Sequence, residues 1–344
     1  MNLQNRIDVL ADLSHYLDKN VDQWIAAKSK AQLQNPWFTD LFIASSLSNI
    51  QHEFLSKEAL MVWANQYPLN KTKEPKTIGI VMAGNIPLVG FHDFLCAYVS
   101  GCRMKIKLSS KDDILFPFVL QLLSLTDSGI YERIELVDTL KDFDAVIATG
   151  SDNTNRYFEY YFRTYPKILR KNRNSVAILN GSETSADLEK LADDIFMYFG
   201  FGCRNVSKIF VPAGYDITQL FPAFEKNYAW LHEHNKYMSN YDYHRTILLL
   251  NKNEHLSNNF IMLKESAAIA SPIATLHYEY WHDENVLQTR LKTDAGKMQC
   301  LVSNEPQRWN AAASVRFGEA QHPQLYDYAD GVDTLAFLQS LHES

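Results

Sequence analysis

From residue 77 onward the chain alternates short apolar segments with longer amphipathic ones. The apolar segments read as buried strands at 77–82, 103–108, 134–137, 145–148 and 176–179. Helix patterns at 89–99, 113–125 and 153–162 lie between them, and Gly101 is placed to end the first. Parallel strands need crossover connections of this kind. The alternation therefore predicts an α/β fold with a parallel sheet, in outline a nucleotide-binding architecture, although the glycine-rich GxGxxG fingerprint is absent.

Two further regions flank this body. Residues 1–75 predict a helical segment, because Ile7, Leu10, Leu13 and Leu17 recur at helical spacing and Asn35-Pro36 resembles the start of a second helix. A second α/β segment starts near Gly181, with a helix capped at 184 or 185 and strands expected at 208–211, 246–250, 274–280 and 299–303. A loop and a last helix follow. The 344 residues suffice for two domains.

Composition excludes several classes of function. The net charge of -7 and the lack of any Lys/Arg tract argue against nucleic-acid binding. No apolar run approaches the ~20 residues of a membrane span, and the polar N-terminus does not resemble a signal peptide, so we expect a cytoplasmic protein. The four cysteines form no CxxC pair, and His232-Glu233-His234 does not match the helical HExxH pattern. We therefore expect no metal site.

Three motifs follow predicted strands. AGNIP contains Ala83, Gly84 and Asn85, whose amide could donate to a developing oxyanion. In IKLSSKD, Lys107, Ser109 and Ser110 could hold a ribose or its 2′-phosphate, and in ATGSDN the strand turns through Thr149, Gly150 and Ser151 into a helix N-terminus suited to a pyrophosphate. Each motif alone is equally compatible with an ordinary turn or a solvated loop. Together they indicate a ligand edge, because ligands bind at the carboxyl ends of parallel strands.

One cysteine stands apart from the others. Cys203 follows Gly200 and Gly202 in YFGFGCRNVSKIFVP, and Arg204 places a positive charge beside it in the sequence. A nucleophilic thiol needs access and a field that favours thiolate, which this segment can supply. A buried structural thiol is the commoner outcome for a lone cysteine. The residue pattern alone leaves both interpretations open, whereas Cys96, Cys102 and Cys300 lie in apolar or turn contexts that favour structural roles.

With Asn85, Lys107, Gly150-Ser151 and Cys203 in this order, the chain resembles the aldehyde dehydrogenase superfamily, most closely its LuxC-type acyl-CoA reductase branch. The resemblance runs from about residue 78 to 337. The segments that carry it are AGNIPLVG, KLSSKD, ATGSDNTNRYF, FGFGCRNVSKIFVP, ESAAIASPIA and LYDYADGVDTLAFL. It implies an aldehyde dehydrogenase-like fold: a Rossmann-like NAD(P)-binding domain at 76–180, a catalytic domain at 181–315, a helical segment at 1–75 and a C-terminal segment, 316–344, that returns to the cofactor domain.

The resemblance also implies site residues. It makes Cys203 the nucleophile and Asn85, with the Cys203 backbone N–H, the oxyanion donors. The residues implied to bind the cofactor are Ala83, Gly84, Lys107, Ser109, Ser110, Thr149, Gly150, Ser151 and, from the region that contacts the nicotinamide ribose, Glu265. Hydrolytic NAD-preferring relatives often carry glutamate three residues after the strand-end lysine. Ser110 stands there and tolerates a 2′-phosphate, which favours NADPH, with NADH as the alternative.

One departure from the hydrolytic aldehyde dehydrogenases concerns their general base. They carry a glutamate in an ELGG segment before the cysteine, whereas the corresponding stretch here, YPKILRKNRNSVAIL at 165–179, contains no acid. The expected reaction is therefore reduction of an acyl-CoA or acyl-carrier thioester to an aldehyde. The alternatives are an acyl phosphate reductase of the glutamyl phosphate reductase kind, an acyltransferase or thioesterase with a vestigial cofactor domain, and a non-catalytic interaction protein. The resemblance also implies a homo-oligomer and a partner protein that supplies the acyl group.

Overall fold

The computed structural model describes residues 1–19, 21–69, 74–309, 311 and 313–342. The helices are α1 (Leu3–Lys19), α2 (Val21–Gln34), α3 (Asp40–Asn49), α4 (Lys57–Ala64), α5 (Phe91–Ser100), α6 (Leu115–Leu123), α7 (Ile130–Arg133), α8 (Asp152–Tyr161), α9 (Ser185–Phe196), α10 (Leu220–Tyr228), α11 (Asn235–Leu250), α12 (Glu284–Asp294) and α13 (Thr334–Ser340). The strands are β1 (Thr77–Val81), β2 (Arg103–Lys107), β3 (Ile134–Leu136), β4 (Ala145–Thr149), β5 (Lys167–Arg170), β6 (Asn174–Ile178), β7 (Val206–Pro212), β8 (Leu256–Ser257), β9 (Met262–Glu265), β10 (Thr275–Trp281), β11 (Met298–Val302) and β12 (Ser314–Val315).

The chain forms two compact units, and the first comprises the described parts of Met1–Asn172 and Pro323–Ser344. Its parallel sheet has the order β3-β2-β1-β4-β5. The order reverses between β1 and β4, which is the topological switch point where doubly wound sheets bind ligands. The predicted α/β fold is thus confirmed. Helix α5 packs on β1 and β2 and also contacts α1 and α13, which explains why its residues are buried around almost the whole helix.

Local sequence signals account for several helix ends in this unit. Gly101 ends α5 with a left-handed φ of 81°, a conformation that costs glycine little. Ser151 caps α8 by accepting from the Thr154 N–H. Two expected starts are wrong. No helix starts at Asn35-Pro36, because the Asn35 carbonyl accepts from the Phe38 N–H and closes a turn. The next helix, α3, begins at Asp40 with Thr39 as its cap. Helix α6 begins at Leu115 rather than at 113.

The second unit, Arg173–His322, is built on a seven-stranded sheet in the order β12-β11-β6-β7-β10-β9-β8. All neighbours are parallel except β8 and β9. Its central strand β7 is buried almost along its whole length. Helix α9 begins with a capping box, in which the Thr184 hydroxyl accepts from the Asp187 N–H and the Asp187 carboxylate accepts from the Thr184 N–H.

Two strand expectations need correction, and two observed strands had no prediction. The segment 176–179, expected in the first sheet, is part of β6 and pairs with β7 and β11 in the second. The segment 246–250, expected as a strand, is the end of α11, whose buried residues Tyr237, Tyr241 and Leu248 define a helical face. Strands β5 and β9 were not predicted, because their short sequences KILR and MLKE carry charged residues that mask a strand pattern.

Replacing Thr184 with alanine is expected to lower the free energy of unfolding by ~1 kcal/mol, because the first turn of α9 loses the Thr184 hydroxyl, which accepts from the Asp187 N–H and donates to the Asp187 carboxylate. Urea unfolding followed by circular dichroism measures the change. Thr246→Ala is the matched control, because Thr246 is an exposed threonine inside α11 where alanine is favoured. Equal losses in the two variants would contradict the capping role.

Candidate active site

The first group of predicted site residues lies at the carboxyl edge of the five-stranded sheet. In the sheet register Val81 of β1 pairs with Lys107 of β2 and with Ala148 of β4. Ala83, Gly84 and Asn85 follow β1, Ser109 and Ser110 follow β2, and Thr149, Gly150 and Ser151 end or follow β4. Because these strands are parallel and adjacent, the three loops emerge at the same edge, beside the switch point.

Contact between the first two loops is close. A Cβ on Gly84 would lie 2.7 Å from the Ser109 Oγ and 3.0 Å from the Lys111 Cβ, so only glycine fits there. Further along the same loop, the Pro87 carbonyl accepts from the buried Ser46 hydroxyl at 2.6 Å. The loop that bears Asn85 is therefore held against its neighbours on both sides.

The buried Asp112 connects the loop after β2, to which it belongs, with the loop after β1. The N-cap position of α6 is Ile114, two residues further on, and the Asp112 Oδ2 accepts from the Leu88 N–H at 2.8 Å. Leu88 has a left-handed φ of 56°, which is strained for a leucine. The Asp112 Oδ1 is buried without a hydrogen-bond partner. Burial raises the pKa of Asp112 to about 7, although the Leu88 N–H opposes the shift.

This raised pKa predicts that the first unit loses stability as the pH rises. The folded chain keeps the Asp112 proton up to about pH 7, whereas the unfolded chain releases it near its ordinary value of about 4. The free energy of unfolding should therefore fall between those two pH values, by a smaller amount in Asp112→Asn than in wild type. Urea unfolding at a series of pH values measures the difference. Asp113→Asn, which removes an exposed carboxyl one residue on, should leave the wild-type slope unchanged.

The remaining residues of this edge carry cationic and hydroxyl groups. The Lys107 Nζ is exposed and donates to the Asp138 carbonyl, and the carbonyl of the exposed Ser110 accepts from the Gln34 amide. At the end of β4, Gly150 lies close to the Thr154 side chain, and its carbonyl accepts from the Asn155 amide. Helix α8 begins immediately afterwards with its N-terminus at the ligand edge.

Cys203 lies in the second unit, in the turn that precedes β7. It alone of the four cysteines is partly exposed. The Cys203 carbonyl accepts from the buried Ser175 hydroxyl at 3.1 Å, and Ser175 Oγ also lies 2.9 Å from the Cys300 Sγ. Burial raises the pKa of the Cys102 thiol to about 11 and raises that of Cys96 well above its ordinary value, which leaves both thiols protonated and inert at neutral pH.

The backbone before Cys203 is strained. Helix α9 ends at Phe196, and Tyr198, Phe199 and Gly200 then adopt left-handed φ values of 54°, 54° and 77°. This conformation costs a non-glycine residue roughly 1–2 kcal/mol, so two aromatic residues in it need compensating contacts. These left-handed residues form a tight turn that leads from the end of α9 to Cys203.

Arg204, which the sequence places beside Cys203, directs its side chain into the protein interior. Its side chain is buried, and the Nε donates to the Ala320 carbonyl. That segment is also held by Asp194, which accepts from the Gly318 and Ala320 N–H groups. Burial raises the pKa of Asp194 to about 7. Arg204 therefore connects the cysteine turn to the 318–320 loop.

Glu265 ends β9 and is exposed. The segment after it is anchored to β7, because the Lys208 Nζ donates to the Ser266 carbonyl at 2.6 Å and the Ser207 hydroxyl donates to the Ile269 carbonyl at 2.8 Å. Lys208 is fully buried and forms an ion pair with Glu279. Burial lowers the pKa of Lys208, and Glu279 opposes that shift.

The ligand edge of the first unit fits a dinucleotide cofactor. It combines the switch point, a glycine pressed against the neighbouring loop, a lysine, several hydroxyl groups and a helix N-terminus. These are donors that phosphate and ribose groups require. Within the described ranges, no group of three or more His, Cys, Asp or Glu side chains is arranged to hold a metal ion, and no helix has the length and apolar character needed to cross a membrane.

Solved structures of aldehyde dehydrogenases have a fold similar to that of this chain. An NAD⁺ complex of the Mycobacterium tuberculosis enzyme matches with a TM-score of 0.66 and 13% identity over 92% of this chain and 78% of that one. A Physcomitrella patens enzyme in complex with succinate matches with a TM-score of 0.68 and 10% identity over 99% and 84%. Substrate-bound Staphylococcus aureus AldH matches with 0.58 and 17% over 90% and 80%. The fold is thus that of an aldehyde dehydrogenase.

The family follows from the sequence match. The model of the LuxC acyl-CoA reductases matches residues 10–220, and the chain belongs to this family. No curated protein matches it in sequence. The predicted resemblance and the predicted class of enzyme, an oxidoreductase that uses a nicotinamide cofactor, are confirmed.

Several polar residues around these loops were not singled out from the sequence. They are Ser46, Asp112, Ser175, Asn205 and Lys208. Only Lys208 carried a signal that could have been used, since a lysine inside the apolar run SKIFV must either reach the surface or find a buried partner. The others resemble ordinary turn or helix-cap residues.

Proposed function

We propose that the protein reduces a long-chain acyl-CoA or acyl-carrier thioester to the aldehyde, with NADPH as reductant and Cys203 as the nucleophile. The observation that carries this proposal is the partly exposed Cys203 at the end of a strained turn, in a chain of the acyl-CoA reductase family. A thiol in this setting can hold an acyl group as a thioester.

The absence of a general base supports reduction over hydrolysis. The stretch 165–179 forms β5 and β6 and contains no aspartate or glutamate. Its charged side chains are cationic, and Arg170 among them is buried. Water beside an acyl-enzyme would therefore receive no help from a carboxylate in this stretch.

Each residue has one proposed task. The Cys203 thiolate forms a C–S bond with the thioester carbonyl, and the CoA thiolate leaves. The Asn85 amide and the Cys203 backbone N–H donate to the oxyanion. When bound, NADPH supplies a hydride to the acyl carbon. Cys203 then leaves as the thiolate when the aldehyde is released.

The cofactor residues are proposed from the same edge of the sheet. Lys107, Ser109 and Ser110 are assigned to the adenosine ribose and its 2′-phosphate, and Thr149, Gly150 and Ser151 to the pyrophosphate, with Ala83 and Gly84 lining the approach. Glu265 is assigned to the nicotinamide ribose. Ser110 carries the preference for NADPH over NADH, because an acidic residue there would repel the 2′-phosphate. We also propose that the protein is a cytoplasmic homo-oligomer that receives its acyl group from a partner protein.

Intact-protein mass spectrometry after incubation with acyl-CoA tests the proposal. We expect the protein to gain the mass of one acyl group, and we expect NADPH to remove that adduct with release of aldehyde and an equal amount of NADP⁺. An adduct that persists with NADPH would favour an acyltransferase, and CoA release without any nicotinamide binding would favour a thioesterase.

A parallel assay with an acyl phosphate distinguishes an acyl-CoA reductase from an acyl phosphate reductase. Glutamyl phosphate reductases also lack the glutamate base. If NADPH is oxidised with acyl phosphate but not with acyl-CoA, the substrate is an acyl phosphate rather than a thioester.

A further inference from the structure

The side chain of Asn205, two residues after Cys203, is buried and uses both of its polar atoms. It is only 1% exposed. Its Oδ1 accepts from the Gly202 N–H at 2.8 Å. Its Nδ2 donates to the Met197 carbonyl at 2.7 Å and lies within hydrogen-bond distance of the Asp194 and Ile195 carbonyls, at 3.2 and 3.3 Å.

These bonds join two elements that the strained turn separates. The Asp194 and Ile195 carbonyls belong to the last turn of α9, where backbone acceptors lack partners within the helix, and Met197 follows that turn directly. Gly202 lies on the other side of Tyr198, Phe199 and Gly200, the residues with left-handed φ. Asn205 therefore spans the strained turn and offsets part of its cost.

The peptide that carries the nucleophile is anchored on both sides. The Asn205 side chain holds the Gly202 N–H, and the Ser175 hydroxyl holds the Cys203 carbonyl. The Asn205 carbonyl in turn accepts from the Ser175 N–H at 3.0 Å, and the Asn205 N–H donates to the Gly202 carbonyl at 3.1 Å. Few degrees of freedom remain for the backbone at Cys203.

We propose that Asn205 is the positioning residue of the Cys203 nucleophile. This inference rests on the proposed function. By holding residues 197–203 in their strained path, Asn205 sets the direction of the Cys203 side chain and of its backbone N–H. Asn205 itself does not contact the substrate. Displacement of a reacting group by about 1 Å costs on the order of 10²-fold in rate.

The test compares Asn205→Ala and Asn205→Asp with Asn258→Ala. Asn205→Ala removes every hydrogen bond of the side chain. Asn205→Asp keeps the oxygen that accepts from the Gly202 N–H but replaces the donating Nδ2 with a second oxygen, which faces the backbone carbonyls. Asn258 is a matched control in the same unit, because its Oδ1 also accepts from backbone N–H groups, those of Phe260 and Ile261 at 3.0 Å. Each protein is assayed for the single-turnover rate of CoA release, for kcat and KM, for the pH profile of thiol alkylation and for NADPH affinity by fluorescence.

We expect both Asn205 variants to acylate about 10²-fold more slowly per folded molecule, with KM and NADPH affinity near the wild-type values and an altered alkylation profile. Asn258→Ala should lose stability but keep the wild-type rate. If Asn205→Ala does not fold, Asn205→Asp provides the measurement. A wild-type rate and alkylation profile in a folded Asn205 variant would overturn this inference alone. A wild-type protein that forms no acyl adduct would overturn the proposed function and this inference with it.

Discussion

Replacement of Cys203 with alanine is expected to abolish acyl-CoA reduction, with kcat lower by at least about three orders of magnitude. The variant keeps the turn and the α9 anchor but has no atom that can hold the acyl group. Steady-state NADPH oxidation gives the rate, and intact mass spectrometry should show no acyl adduct. NADPH binding should be unchanged, because the proposed cofactor residues of the first unit lie outside the cysteine turn.

Cys102→Ala is the control for this experiment. Cys102 is also a cysteine next to a glycine, but it is 2% exposed and burial raises the pKa of its thiol to about 11. We expect this variant to form the adduct and to reduce acyl-CoA like the wild type. Activity that survives in Cys203→Ala, or that disappears in Cys102→Ala while the protein stays folded, would contradict the assignment of the nucleophile.

The largest effect on stability is expected from Arg170→Met, a loss of ~3–5 kcal/mol in the free energy of unfolding of the first unit. Arg170 ends β5 and is 4% exposed. Its guanidinium forms an ion pair with Asp93 in the first turn of α5, and it donates to the Ala329 carbonyl at 2.7 Å and to the Thr334 hydroxyl at 2.8 Å. The substitution leaves a buried carboxylate without its partner and releases the C-terminal segment from the sheet.

Two comparisons sharpen this prediction. The double variant Arg170→Met with Asp93→Leu should recover a large part of the loss, because the uncompensated charge is removed. Lys57→Met breaks the exposed Lys57–Asp8 pair at 2.7 Å and should change the free energy of unfolding far less than Arg170→Met does, because solvent screens an exposed ion pair. Urea unfolding gives the three values, and limited proteolysis should cut the segment after residue 323 faster in Arg170→Met. Similar losses in Arg170→Met and Lys57→Met would contradict the role of burial.

Much of the fold could be predicted from local signals in the sequence. Strands β1 and β4 were recognised as apolar runs, and β2 and β3 by apolar residues at every second position. Gly101 and Thr184 marked helix ends through their own backbone and side-chain preferences. The loops after β1, β2 and β4 were expected to lie at the ligand edge once these strands were predicted, because ligands bind at the carboxyl ends of parallel strands. Short strands with charged residues, such as β5, gave no comparable signal.

The sequence by itself determined the periodicity, several of the helix caps, the family and the one cysteine preceded by two nearby glycines. Only the tertiary structure decided which strand joins which sheet and which polar residues hold the site. Asp112 and Leu88 are 24 residues apart, Ser175 and Cys203 are 28 apart, and Arg170 and Thr334 are 164 apart. No local preference selects such partners, because a hydrogen bond between distant residues forms only where packing brings them together and excludes water. For Cys203, the sequence supplied the thiol, and the structure supplied the strained turn and the Asn205 and Ser175 anchors that hold its peptide.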